Sequence, residues 1–117
     1  MSAYEIDPVT ALERLAAGAL LVDVREPDET AQASYDVASI KLVPLSEFAA
    51  HAHDLPKDRE LIMACRSGGR SGRAMQFLLD SGYERVVNLN GGILRWQAEG
   101  HPMKGQVPGA PVGNRAS

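Results

Sequence analysis

The sequence predicts a three-layer α/β/α sandwich built on a small, mainly parallel central sheet. Three observations predict it. The runs Leu20-Leu21-Val22-Asp23-Val24 and Leu61-Ile62-Met63-Ala64 are too short for helices and apolar on both faces, as strands covered on both sides are. Segments of helical period, each with its own start and stop residues, lie between such runs. Strict alternation of the two implies parallel strands joined by helical crossovers. Finally, 117 residues with 44% apolar and 23% charged side chains suit one soluble globular domain with a single core.

The first element is a helix. Asp7-Pro8 supplies its N-cap and a proline at the first helical position. Val9, Leu12, Leu15 and Ala16 then share a face, and Gly18 ends the helix. The strand at 20–24 comes next. Glu26-Pro27-Asp28-Glu29 opens a short second helix, with acids at its positive end. Ile40-Lys41-Leu42-Val43 is a further strand. Ser46 is expected to cap a third helix over residues 47–51. The strand at 61–64 leads through a loop into a fourth helix beginning near Ser71, with Ala74, Phe77 and Leu78 as its apolar stripe and Gly82 as its end. Val86-Val87-Asn88-Leu89 makes another strand. A fifth helix spans 93–99, stopped by Gly100 with Pro102 beyond. Residues 1–104 form the expected domain. Residues 105–117, rich in glycine and proline and without period, read as a flexible end.

The totals exclude several functions. A net charge of −3 offers no broad basic face for nucleic acid or an anionic membrane. One cysteine cannot close an intramolecular disulfide, so nothing points to an oxidising compartment. The first twenty residues lack the apolar core of a signal peptide, and no apolar run approaches the roughly 20 residues of a membrane span. A cytoplasmic location is expected. His51, His53 and His101 show no metal-ligand spacing and read as surface residues, so neither metal nor cofactor is expected.

Chemistry concentrates in Cys65-Arg66-Ser67-Gly68-Gly69-Arg70-Ser71-Gly72-Arg73-Ala74. This stretch holds the chain's one cysteine with three arginines, three glycines and no acid. It follows a buried strand and precedes a helix, where ligands bind in parallel sheets. Gly68 and Gly69 permit a strained curl, so that the backbone N–H groups of residues 66–70 face inward and form an anion cradle beside a helix N-terminus. Such surroundings favour the thiolate of a cysteine at the focus. Cys65 is therefore read as a nucleophile, with Arg66, Ser67, Gly68, Gly69, Arg70 and Ser71 as substrate-binding residues. A packing role for a lone strand-end cysteine would leave the small and cationic residues after it without a purpose.

Phosphate is the competing anion. A cysteine-based phosphatase or arsenate reductase places five residues between its cysteine and an oxyanion-clamping arginine. That position is Ser71, and Arg70 stands one place early. The shorter loop closes a smaller bowl, better suited to one extra sulfur than to a tetrahedral oxyanion. Elsewhere, Asp23 and Arg25 read as a buried ion-pair anchor beneath the loop, since a charged group in an apolar strand needs a partner. Trp96, Met63, Met75 and Phe77 read as core, and Gly91 with Gly92 as a tight turn into the last helix.

Leu21-Val22-Asp23-Val24-Arg25-Glu26-Pro27, Cys65-Arg66-Ser67-Gly68-Gly69-Arg70-Ser71 and Val87-Asn88-Leu89-Asn90-Gly91-Gly92-Ile93 with Trp96 together resemble a single-domain rhodanese, in order and spacing. The resemblance runs from about residue 4 to 102. It implies sulfur transfer: the loop cysteine takes a sulfane sulfur from a small anionic donor such as thiosulfate, then yields it to a thiophilic acceptor such as cyanide, a thiol or a dithiol, including a thioredoxin-like protein. It also implies that Cys65 carries the sulfur, that residues 66–70 hold the persulfide through their backbone, and that Arg66 and Arg70 attract the donor. One departure stands out. Many members carry Gly-His-Ile-Pro-Gly-Ala where this chain has Tyr35-Asp36-Val37-Ala38-Ser39-Ile40, with Asp36 at the histidine position. The sequence leaves two classes open, an enzyme and a partner-dependent persulfide carrier or regulatory domain. Phosphatase or arsenate reductase chemistry is a weaker third.

Overall fold

The computed structural model describes residues 3–113. Its main sheet holds β1 (Glu5–Ile6), β2 (Leu20–Asp23), β4 (Ile40–Leu42), β5 (Leu61–Ala64) and β6 (Val86–Leu89). The strands lie in the order β1-β6-β5-β2-β4, all parallel. A separate antiparallel pair joins β3 (Ala33–Tyr35) to β7 (Met103–Gly105). The helices are α1 (Pro8–Ala16), α2 (Pro27–Gln32), α3 (Phe48–His51), α4 (Gly69–Asp80) and α5 (Gly92–Ala98).

Strand alternation divides the core in two. Leu20, Val22, Val24, Leu61, Met63, Cys65 and Val86 face Phe48 of α3 and Ala74, Met75 and Leu78 of α4. Leu21, Ile62, Ala64, Val87 and Leu89 face Ala11 of α1 and Ile93 and Trp96 of α5. Both faces of the sheet are thus covered, which is why β2 and β5 are apolar at nearly every position. The expected three layers are present, and Trp96, Met63 and Met75 are buried as read.

The cap at Asp7 is real: its carboxylate accepts from the Thr10 N–H at 2.8 Å. Several local readings change. On α1 the inward stripe is Pro8, Ala11, Leu12 and Leu15, and Val9 is 54% exposed because it sits about 100° off that stripe. Ala16 is exposed for the same reason. Phe77 likewise falls outside the Ser71–Ala74–Met75–Leu78 stripe of α4; it is 42% exposed and meets Phe48 edge to face at 5.8 Å. Ser46 caps no helix. It lies in a 3-10 turn, Leu45–Glu47, and its hydroxyl donates to Glu26 at 2.7 Å. His101 is not a surface residue: its side chain is 10% exposed and lies 5.4 Å from the Trp96 ring, because Gly100, with φ +77°, turns the chain back over α5.

The glycine- and proline-rich end does not leave the domain at residue 105. Gly105 pairs with Ala33, and Val107 packs against the second core cluster. Positions 114–117 of the expected flexible end lie outside the described residues. Among the described residues, no helix is long and apolar enough to cross a membrane.

Candidate active site

Cys65 follows the last residue of β5, at the carboxyl end of the sheet and between β2 and β6. It is buried. Its Sγ accepts from the Gly68 N–H at 3.1 Å and from the Ser71 hydroxyl at 3.2 Å. Burial pushes the thiol up. The Ser71 hydroxyl and the backbone N–H groups of Ser71, Gly68 and Ser67 outweigh it, and the thiol ends below its ordinary value. Neutral donors thus favour the thiolate, at the start of the twelve-residue helix α4.

One glycine makes this curl. Gly68 sits at φ +107° and forms the left-handed N-cap of α4. Gly69 is already the first helical residue, and a Cβ there would meet nothing. The expectation that both glycines take strained dihedrals holds for Gly68 alone, because α4 begins two residues before Ser71.

The carbonyls of the loop are drawn outward, which leaves the N–H groups facing the sulfur. Cys65 O accepts from the Ile93 N–H at 2.9 Å and from the Tyr35 hydroxyl at 2.8 Å, and Arg66 O accepts from the Leu94 N–H at 3.1 Å. Gly68 O accepts from Asn88 Nδ2 at 3.0 Å. The first turn of α5 approaches so closely that a Cβ on Gly92 would stand 2.6 Å from Cys65 O and overlap the Arg66 carbonyl. Gly91 and Gly92 do form the expected turn, at φ +82° and +57°, and Gly92 also seats α5 on the loop. Tyr35 belongs to the run that departs from the family pattern, so that run reaches the base of the site, whereas Asp36 is exposed.

Asp23 and Arg25 form the expected buried anchor. The Arg25 guanidinium grips Asp23 through Nε at 3.1 Å and Nη2 at 2.9 Å and also donates to Ala33 O, with both side chains at most 2% exposed. This pair ties β2 to β3, and so to Tyr35.

The arginines of the loop differ from one another. Arg70 is held by Glu29 in a two-point pair, 2.7 and 2.8 Å. That pair holds the Glu29 carboxyl down to about 2 and pushes Arg70 up. Arg66 is exposed and has no ion-pair partner among the described residues. Ser67 and Gly69 are exposed on the rim. Sequence reasoning missed Glu29, Tyr35 and Asn88. Glu29 and Asn88 stand in or beside conspicuous motifs, but their partners in the loop are 41 and 20 residues away. Among the described residues no cluster of three or more metal-ligating side chains exists.

This geometry agrees with what the chain is similar to. Residues 7–99 match the rhodanese-like domain family. A protein of Allochromatium vinosum named "Sulfurtransferase" is 40% identical over 101 residues, covering 85% of this chain and 92% of its own length. The Arabidopsis thaliana "Rhodanese-like domain-containing protein 17" is 31% identical over 111 residues, 85% of this chain and 71% of that protein. The crystal structure of a rhodanese-related protein from Thermoplasma volcanium superposes with a TM-score of 0.78 at 32% identity, covering 86% and 96% of the two chains. A loop of this length closed around a single sulfur, on this sheet, carries the same conclusion from the physical side: the chain belongs to the rhodanese-like domain family.

Proposed function

We propose that this protein is a thiosulfate-type sulfurtransferase that works through a persulfide on Cys65. The observation that carries the reading is the pair of donors on Sγ, the Gly68 N–H and the Ser71 hydroxyl, in a loop with no arginine at the sixth place after the cysteine.

The Cys65 thiolate attacks the outer sulfur of thiosulfate. A new S–S bond forms, the old one breaks, and sulfite leaves with its electron pair. The terminal sulfur of the persulfide then carries the negative charge and takes up the N–H donors of the loop. In the second half-reaction cyanide, or a thiolate of a small or protein dithiol, attacks that terminal sulfur, and the Cys65 thiolate is the leaving group. Arg66, unpaired at the rim, draws the anionic donor. The relative named a sulfurtransferase supports the same reading. The phosphate alternative lacks support, because Arg70, the nearest arginine to the clamping position, already has both Nη groups on the Glu29 carboxylate.

Steady-state kinetics with thiosulfate and cyanide test this. Parallel double-reciprocal lines, lost in Cys65→Ser, are expected. Near-normal turnover in Cys65→Ser would overturn the assignment.

A further inference from the structure

The face of the sheet that meets α4 is apolar along β2, β5 and the start of β6, through Leu20, Val22, Leu61, Met63 and Val86. Asn88 breaks that pattern. It follows Val86 by two residues, so it points to the same side, and it is 3% exposed. Its Nδ2 donates to Gly68 O at 3.0 Å and to Glu5 Oε2 at 3.0 Å. Glu5 stands opposite Asn88 in the β1–β6 pairing. Its other oxygen accepts from Asn90 Nδ2 at 3.2 Å, which holds the carboxylate in place. Two acceptors on one side therefore set which end of the Asn88 amide faces the loop. Asn88 Oδ1 is buried and has no hydrogen-bond partner among the described residues. Packing gives no reason for such a residue, because an aliphatic side chain would leave no orphaned oxygen.

The reason lies in the donors around two acceptors. The Ser71 hydroxyl carries one proton and has two acceptors within reach, Cys65 Sγ at 3.2 Å and Gly68 O at 3.3 Å. A carbonyl oxygen has two lone pairs. On Gly68 O the Gly72 N–H, at 3.0 Å, fills one as the first turn of α4 closes. Asn88 Nδ2 fills the other. The hydroxyl approaches Gly68 O third, at a separation that is long for O–H···O. Its approach to the larger sulfur atom is close by comparison. The proton goes to the sulfur.

We propose that Asn88 is a positioning residue for Cys65: it saturates the Gly68 carbonyl and so commits the Ser71 proton to Sγ. Asn88 touches no reacting atom. Without its amide, Gly68 O would draw the hydroxyl, and the sulfur would keep the Gly68 N–H but lose much of its second donor. Glu5 serves the same end one step further out, by holding the amide. This gives a purpose to β1, a strand of only two residues whose register brings Glu5 beside Asn88. The inference rests on the reading of Cys65 as a thiolate nucleophile.

A double-mutant cycle in the full chain tests this. Thiolate absorbance against pH is the first readout, and the rate of sulfur uptake from thiosulfate, followed by intact mass, is the second. Asn88→Leu removes the donor at similar volume. It should displace the thiolate titration upward and slow sulfur uptake at neutral pH by about threefold, the worth of a hydrogen bond divided between two acceptors rather than given to one. In a Ser71→Ala background the same substitution should move neither, because no hydroxyl remains to redirect. The charged and titratable groups of this region, Arg70 with Glu29 on α2, Tyr35 on β3 and Glu5 on β1, are present in all four proteins and cancel in the cycle. An unmoved titration in Asn88→Leu overturns the proposal. So does a displacement of equal size with and without the hydroxyl, which is what a merely loosened loop gives. Should Asn88→Leu not fold, Asn88→Ala is read in the same two backgrounds by the same criteria. Wild-type protein that takes up no sulfur, while the titrations behave as expected, would overturn the proposed function instead, so the two failures are separable.

Discussion

The floor of the Cys65 loop and its rim divide the labour in an unexpected way. The rim carries the arginines that make the motif conspicuous. Yet Arg70 is neutralised by Glu29, while Arg66 and Arg73 have no ion-pair partner among the described residues. The floor carries no formal charge apart from the sulfur. Its N–H groups and the Ser71 hydroxyl are what lower the thiol. Fixed neutral dipoles at about 3 Å stabilise a buried anion more dependably than a long cation that another group already holds. The difference teaches that the arginines of such a loop organise its edges, and that the chemistry belongs to its backbone.

The largest expected effect lies on the floor. Cys65→Ser should keep the fold, since the side chains are of similar size, and lose sulfur transfer by more than about 10³-fold, the scale on which a covalent nucleophile is felt. Circular dichroism and turnover check the two halves. Next comes the support behind the floor. Gly92→Ala should destabilise the domain by about 2–4 kcal/mol, because its Cβ would collide with the Cys65 and Arg66 carbonyls at a positive φ. Gly69→Ala, in open space at ordinary helical dihedrals, should be neutral within about 0.5 kcal/mol. Equal denaturation midpoints for the two variants would dissolve the claim that α5 seats the loop.

Much of this was legible in the sequence, for a physical reason. Buried parallel strands announce themselves locally, as residues 20–24 and 61–64 do, and so does a cysteine amid glycine and arginine. The buried Asp23–Arg25 pair was legible too, because its members stand two residues apart. The illegible part depends on partners far along the chain. Composition could assign Phe77 to a core stripe but could not fix the helix's rotation. Glycine and proline after residue 104 say only that no regular element continues; that the buried Gln97 side chain accepts from the Val107 N–H and so holds this stretch is a matter of burial, which no local pattern encodes. Arg70 looked like a substrate-binding cation because Glu29 lies 41 residues earlier.

Ser71→Ala probes the floor more gently. Removing a hydroxyl that donates to the sulfur should raise the thiol and slow sulfur uptake at neutral pH by about tenfold, the worth of one charge-assisted hydrogen bond. Thiolate absorbance against pH should show the titration displaced upward. No displacement would mean that the hydroxyl serves Gly68 O instead.

The rim gives the smallest effect and a distinct sign. Glu29 is held at about 2, below its ordinary 4.5, by Arg70. The pair's stabilisation is therefore complete above about pH 4.5 and fades as pH falls toward 2. Glu29→Gln should lessen the acid-dependent loss of stability by about 1–2 kcal/mol after solvent screening. Thermal midpoints at pH 6 and pH 3 would show it; an unchanged acid slope would contradict the pairing.

The central claim is that this loop holds one sulfur and not an oxyanion. Intact-mass measurement of the wild-type chain after thiosulfate, set beside a vanadate titration of the same sample, tests it most directly. The account predicts a mass gain of a single sulfur atom that is absent in Cys65→Ser, with only weak vanadate binding. Tight vanadate binding with no sulfur uptake would contradict it.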